Sequence, residues 1–185
     1  MPSLSLNSES SFARTQHQEQ VQSRQFLTFV LGEEMFAMPI EDIREIIEFS
    51  SLTEVPLMPS FLRGVINLRG AVVPVIDLSV RFGRAQTPVA KRTCIVIMEL
   101  AQEQQTLLLG VMVDAVRAVL TVENEKIEPP LSFGARLRAD FIEGMINIKD
   151  RFVVVLDVKA VLSVDELSTL IGMAAVEELN APPTA

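Results

Sequence analysis

The sequence predicts an all-β protein in which two small barrels arise from an internal duplication and a single helix follows them. Three observations carry that reading. A stretch in the middle of the chain recurs near its end at an offset of 80 residues: 61–78 read FLRGVINLRGAVVPVIDL and 141–158 read FIEGMINIKDRFVVVLDV. Seven of these eighteen positions are identical, namely Phe61/Phe141, Gly64/Gly144, Ile66/Ile146, Asn67/Asn147, Val73/Val153, Val75/Val155 and Asp77/Asp157, and Arg69 faces Lys149. A weaker echo lies upstream at an offset of 73, where IEDIREII (40–47) matches VDAVRAVL (113–120) and Pro56 matches Pro129. The segment 129–141 therefore holds a seven-residue surplus over 56–61. Finally, short apolar runs alternate with turn residues and no helices come between them, the pattern of small barrels.

Taken in order, 25–31 (QFLTFVL) read as a strand, and Gly32, Glu33 and Glu34 turn the chain into a second one over 35–38. Ile40, Ile43, Ile46 and Ile47 have helical spacing, yet Pro39 precedes a run only about two turns long. Its repeat partner is rich in β-branched valine, so one tight turn over 40–43 feeding a strand over 44–49 is expected. Pro56 and Pro59 stop that strand. Gly64 and Gly70 bracket VINLR, the repeated Asn67 and Asn147 read as turn formers, and AVVPVIDL runs on as a strand. Pro74 inside it asks for an edge or a bulge. The repeated Asp77 and Asp157, at matching strand ends, suit acceptors of backbone N–H bonds at a turn. The second copy repeats this order over 93–100, 107–113, 116–122, 144–148 and 151–158.

A capping box from Ser163 to Glu166 opens the helix, with Leu167, Leu170, Ile171, Ala174 and Leu179 along one side. The expected organisation is a disordered tail over 1–24, barrels over 25–88 and 89–162 with terminal strands able to exchange between them, the helix over 163–179 and a loose end over 180–185. The tail is rich in Ser and Gln and lacks the apolar core of a secretory signal. Units this small bury a modest share of their surface, so two sharing an interface are safer than either alone.

Composition narrows the function. A net charge of −8, scarce aromatics and no basic stripe argue against nucleic acid as a partner. The chain is 49% hydrophobic, yet its longest dense patch, 107–113, is strand-sized, so no direct membrane insertion is expected. That apolar content suits strands buried on both faces together with surface reserved for partners. The lone Cys94 cannot form an internal disulfide, suits a reducing cytoplasm and reads as a small buried hydrophobe. The single histidine, His17, lies in the tail, so histidine general-base chemistry and histidine-ligated metal have no support. No nucleophile elbow, phosphate loop or dinucleotide fingerprint appears. The pairs Glu33-Glu34, Glu41-Asp42 and Glu177-Glu178 read as solvated charges. The sequence thus predicts no catalytic residue, no metal site and no cofactor. What remains is surface for partners. Arg69, on a loop with glycines at both ends, offers a planar guanidinium for bidentate contact with a partner's carboxylate or carbonyls.

The run FLRGVINLRGAVVPVIDL resembles the signature of the CheW family, adaptors of bacterial chemotaxis arrays, with its G-V-x-N-L-R-G-x-V-V-P-x-x-D-L core. The opening QFLTFVLGEEMFAMPIEDIREIIEF resembles the family's start, and the similarity runs over 25–170. The resemblance implies two SH3-like five-stranded barrels packed on each other, without catalysis or cofactor. It implies a cytoplasmic scaffold recruited to receptor arrays at the inner face of the membrane, coupling methyl-accepting receptors to the histidine kinase CheA. The same domain ends CheA and opens CheV, but only a helix follows residue 162 here, which suits a standalone adaptor. Carried over by motif, the receptor-contacting groove maps to Ile40, Ile43 and Glu45 and to the loop of Asn67, Leu68 and Arg69. The kinase-contacting surface maps to the second-barrel loop around Glu128 and Phe133, with Glu128 at a position that is often basic in the family. Two other readings stand beside this one. One is an adaptor for surface motility of the twitching type. The other is a small-ligand sensor binding between the barrels, which needs a cavity with several convergent polar groups.

Overall fold

Short alternating apolar runs separated by turns pair into two sheets. The computed structural model describes residues 21–102, 104–130, 137–163 and 172. Residues 1–20 of the expected tail, Phe133, nearly all of the expected helix and the end 180–185 lie outside the described residues. The strands are β1 (Ser23–Leu31), β2 (Glu34–Pro39), β3 (Ile43–Glu48), β4 (Leu62–Leu68), β5 (Ala71–Asp77), β6 (Cys94–Gln102), β7 (Gln105–Val113), β8 (Ala115–Glu123), β9 (Ile127–Glu128), β10 (Ile142–Ile148) and β11 (Arg151–Leu156). Two short helices, α1 (Leu78–Arg81) and α2 (Val158–Leu162), follow β5 and β11. The first strand starts at Ser23, two residues inside the stretch expected to be tail. The ambiguous isoleucines resolve as a 3-10 turn over Ile40–Asp42 feeding β3, the turn-then-strand reading.

One barrel has the strand order β3-β6-β7-β5-β4 and the other β8-β1-β2-β11-β10-β9. Matching β1, β2, β3, β4 and β5 of the first copy to β6, β7, β8, β10 and β11 of the second converts one order into the other. Each barrel therefore borrows its first hairpin from the opposite copy. The β1–β2 hairpin pairs with β8 on one side and β11 on the other, while β6–β7 pairs with β3 and β5. A boundary after residue 88 consequently does not separate the strands of one sheet from those of the other. All strands of the first barrel lie between Ile43 and Val113, and the second combines β1 and β2 with β8 to β11.

The repeated residues explain themselves at this level. The β4–β5 ladder shifts register between Leu62 and Gly64, and the β10–β11 ladder shifts between Ile142 and Gly144. At each glycine a neighbouring chain passes at backbone distance. A Cβ on Gly64, which has φ +150°, would overlap the Thr53 carbonyl, and one on Gly144 would lie 2.8 Å from the Glu128 carbonyl oxygen. Asp77 and Asp157 each cap the short helix that follows them, accepting from Ser79 N–H (3.0 Å) and Ala160 N–H (3.1 Å) respectively. Asp77 does more. Fully buried, it also accepts from Arg63 Nη1, the Thr87 N–H and the Thr87 hydroxyl, each at 2.8 Å, and so pins the segment that leads to β6. Pro74 is not on an edge strand: β5 lies between β4 and β7, but its pairing with β7 starts only at Val75, so the missing N–H falls beyond that ladder.

Three apolar clusters result. One fills the first barrel (Val73, Val75, Ile95, Ile97, Met112) and another the second (Phe26, Ala37, Val122, Ile146, Val153, Val155). The largest lies between them and draws on both sheets, including Leu27, Phe29, Met38, Val96, Met98 and Leu109. A line of rings, Phe29, Phe36, Phe82 and Phe141, runs through it with centroid spacings of 6.0, 5.7 and 6.0 Å. The repeat-equivalent Phe61 and Phe141 meet around one guanidinium: Arg81 sits 4.7 Å from the first ring and 5.6 Å from the second, and its Nε–H donates to the Val161 carbonyl. Each buried side chain of this size contributes about 2 kcal/mol, so the shared core binds the barrels into one folding unit. Cys94 is half-buried at its edge.

Candidate functional site

The signature run LRG forms the tip of the β4–β5 hairpin. Leu68 pairs with Ala71, leaving Arg69 and Gly70 as a two-residue loop with φ values of 50° and 86°. Positive φ at both positions is what a type I′ turn requires, and the Gly70 N–H donates to Asn67 Oδ1 at 2.9 Å. Asn67 is thus a turn former, as read from the sequence. The expectation of a loop with glycines at both ends is corrected: only Gly70 is in the turn, while Gly64 serves the register shift inside β4. A long side chain in the left-handed region is uncommon and strained, and such strain concentrates at functional positions.

The guanidinium of Arg69 grips Glu45 bidentately, Nη1 to Oε1 at 2.7 Å and Nη2 to Oε2 at 2.8 Å. Glu45 belongs to β3 and Arg69 follows β4, the two outermost strands in the order of the first barrel, so the pair spans the barrel's closure. The hydrogen bond to Arg69 holds the Glu45 carboxyl below the ordinary glutamate range, and Glu45 in turn raises the arginine. The arginine side chain is 69% exposed and the glutamate 24%. The bidentate carboxylate contact assigned by sequence to a partner is first made within the chain; a guanidinium has five N–H groups, and two are used here.

Leu68 packs at the edge of the first barrel's interior cluster, while Ile40 and Ile43 are half-buried against the core between the barrels. Beside Glu45, Ile46 is 42% exposed, and its repeat counterpart Val119 is exposed as well. Ile46 was not among the sequence candidates; its place on the solvent side of β3, opposite Ile43 and Ile47 in the strand's alternation, is the signal that could have found it. Glu128 lies exposed in β9, paired with Met145, and Phe133 lies outside the described residues. Among the described residues no group of three His, Cys, Asp or Glu could hold a metal ion, and no helix is long and apolar enough to cross a membrane.

Comparison with known proteins places this geometry. The family profile of the CheW-like domain matches residues 25–166. The chain is 33% identical over 143 residues to the probable chemotaxis protein CheW of Rhizobium etli, covering 77% of this chain and 90% of that one. It is 30% identical over 151 residues to the chemotaxis protein CheW of Klebsiella aerogenes, covering 82% and 89%. The crystal structure of the scaffolding protein TtCheW from Thermoanaerobacter tengcongensis superposes with a TM-score of 0.67 at 32% identity, covering 77% of this chain and 89% of that one. With the paired barrels, the LRG hairpin tip and a match over most of its length, the chain belongs to the CheW family of chemotaxis proteins.

Proposed function

We propose that this protein is a non-catalytic scaffold that couples methyl-accepting chemoreceptors to the histidine kinase CheA at the inner face of the membrane, working in the cytoplasm without a cofactor. The observation that carries the reading is the Glu45–Arg69 pair: an exposed, bidentate ion pair held at a strained hairpin tip within the family's signature run. Rigid presentation of a guanidinium lowers the ordering cost of docking a polar partner. Ile46 supplies exposed apolar surface next to Glu45, and Ile40 and Ile43 are half-buried on the same stretch of chain; the receptor side comprises Ile40, Ile43, Glu45, Asn67, Leu68 and Arg69. The kinase side is the second-barrel loop around Glu128 and Phe133. The names of the relatives, chemotaxis proteins and a scaffolding protein, support the scaffold role.

The test is co-sedimentation of the protein with receptor-containing membranes and a cognate CheA. Arg69→Ala is expected to weaken receptor retention roughly thirtyfold, as loss of a central charged anchor does, with thermal unfolding almost unchanged. Arg69→Lys should not restore it fully, because an ammonium cannot form the planar fork. Ile43→Asp should weaken the same binding. Normal retention and normal kinase coupling by Arg69→Ala would reject the site.

A further inference from the structure

Arg81 lies outside both partner surfaces, yet it joins the two barrels. The exchanged hairpins relate the two copies as the subunits of a swapped dimer are related, by a pseudo-two-fold rotation. A residue near such an axis meets its own counterpart from the other copy. Arg81 does so. It closes α1, and at the duplication's offset of 80 its counterpart is Val161 in α2, whose carbonyl accepts the Arg81 Nε–H at 2.9 Å. The two rings that its guanidinium faces, Phe61 at 4.7 Å and Phe141 at 5.6 Å, are counterparts of each other. Two guanidiniums at this half-buried axis would repel, and the second copy places the apolar Val161 there instead.

These contacts reach the roots of both hairpins. Phe61 directly precedes β4 and Phe141 directly precedes β10. Their carbonyls accept the N–H groups of Asp77 and Asp157, at 2.8 and 2.9 Å, where β5 and β11 end. The β4–β5 hairpin carries Arg69 at its tip, and β10 pairs with β9, which holds Glu128. The apolar core between the barrels holds them together, but burial is non-directional and sets no angle by itself. A planar cation facing two rings, with its Nε–H bonded to a carbonyl, is directional. We propose that Arg81 is a positioning residue that fixes the angle between the barrels, and with it the separation of the receptor side on the first from the kinase side on the second. The inference rests on the scaffold reading above. A chain that holds two partners at once needs a set geometry, because bridging fails where both sites cannot be engaged together, however well each binds alone.

Two measurements test it. On a Cys94→Ser background, spin labels at Val72→Cys in the first barrel and Val119→Cys in the second, both exposed, report the distance between barrels by double electron–electron resonance. Arg81→Met, which keeps an apolar stem and loses the planar cation, should broaden that distribution about twofold. Arg81→Lys, a cation without the fork, should fall between the two. With receptor-containing membranes and a cognate CheA, Arg81→Met should leave each binary affinity within about twofold and lower the CheA retained on those membranes about tenfold. An unchanged distribution or normal bridging overturns the proposal. So does a parallel loss of binary and bridged binding, which would make Arg81 a residue of stability alone. Should Arg81→Met not fold, Phe61→Leu, which removes one ring, is read in the same way. If the unaltered protein binds no receptor, the scaffold reading fails, while the distance distribution still decides whether Arg81 sets the angle.

Discussion

The two hairpin tips, Arg69-Gly70 and Lys149-Asp150, have the same backbone and opposite surroundings. All four residues have positive φ. In the first barrel the long cation is clamped by Glu45; in the second, Ala118 stands where the duplication would put that glutamate, and Lys149 has no ion-pair partner among the described residues. Backbone-dictated positions survive duplication, as at Gly64/Gly144 and Asp77/Asp157, because geometry leaves no alternative. Side chains that reach solvent diverge, and the two barrels become two different surfaces. One tip is held by an ion pair; the other borders an apolar groove.

The largest expected effect comes from cutting where the repeat would suggest. A fragment of residues 21–88 keeps the β1–β2 hairpin without β8 or β11 and should lose cooperative unfolding altogether, whereas 40–113 contains every strand of the first barrel. Circular dichroism and denaturant melts decide. If 21–88 folds cooperatively, the hairpin exchange is wrong. Within the intact chain, Asp77→Ala should cost about 4 kcal/mol because it strands Arg63 and several buried N–H groups. Asp157→Ala should cost only about 1 kcal/mol, the value of a helix cap. Equal costs in urea titrations would dissolve the asymmetry between the copies.

Gly64→Ala should destabilise by about 3 kcal/mol, since it meets both a left-handed φ and the Thr53 carbonyl; Gly144→Ala meets only crowding and should cost about half that. At Leu57 the sign reverses. This leucine is 92% exposed with φ 63°, so Leu57→Asn, which tolerates the left-handed region, should stabilise by about 0.5–1 kcal/mol. The smallest effect is a pH dependence. Glu45 has a folded-state pKa below its unfolded one, so its contribution is present above the ordinary glutamate value and fades as pH falls through the lowered one. Carboxyl NMR titration should show Glu45 moving up toward the ordinary range in Arg69→Ala. An unshifted titration would mean that the pair does not persist in solution.

Much of this was legible because it depends on local chemistry. Pro39 before a short isoleucine run, together with a valine-rich echo, was enough to read a turn over 40–43 and a strand after it, within one residue of the Ile40–Asp42 turn and the Ile43–Glu48 strand. The duplicated Gly, Asn and Asp marked backbone duties. Partner choice was not legible. Period-two alternation says which face of a strand is buried but nothing about which sheet it joins, so exchange of terminal strands could be allowed for but the hairpins that exchange could not be named. Glu45 and Arg69 are 24 residues apart with no periodic relation, and only barrel closure brings them together. Pro74 left edge and bulge open for a related reason: the choice depends on pairing, and the register shift of the β4–β5 ladder at Leu62–Gly64, next to Pro74's partner Val65, favours the bulge.

The exchanged hairpin also matters while the protein is being made. The β1–β2 hairpin is made before the other strands, yet β8 emerges only after about 75 further residues, with the whole first barrel synthesised in between, and β11 later still. At about 5–20 residues per second that is a delay of roughly 4–15 seconds. For that time Phe26, Phe29 and Phe36 lack the partners that bury them, and both edges of the hairpin are unpaired. The earliest strands of the fold are thus among the last to be completed, and slowing translation after residue 113 should lengthen the period in which a chaperone can capture them.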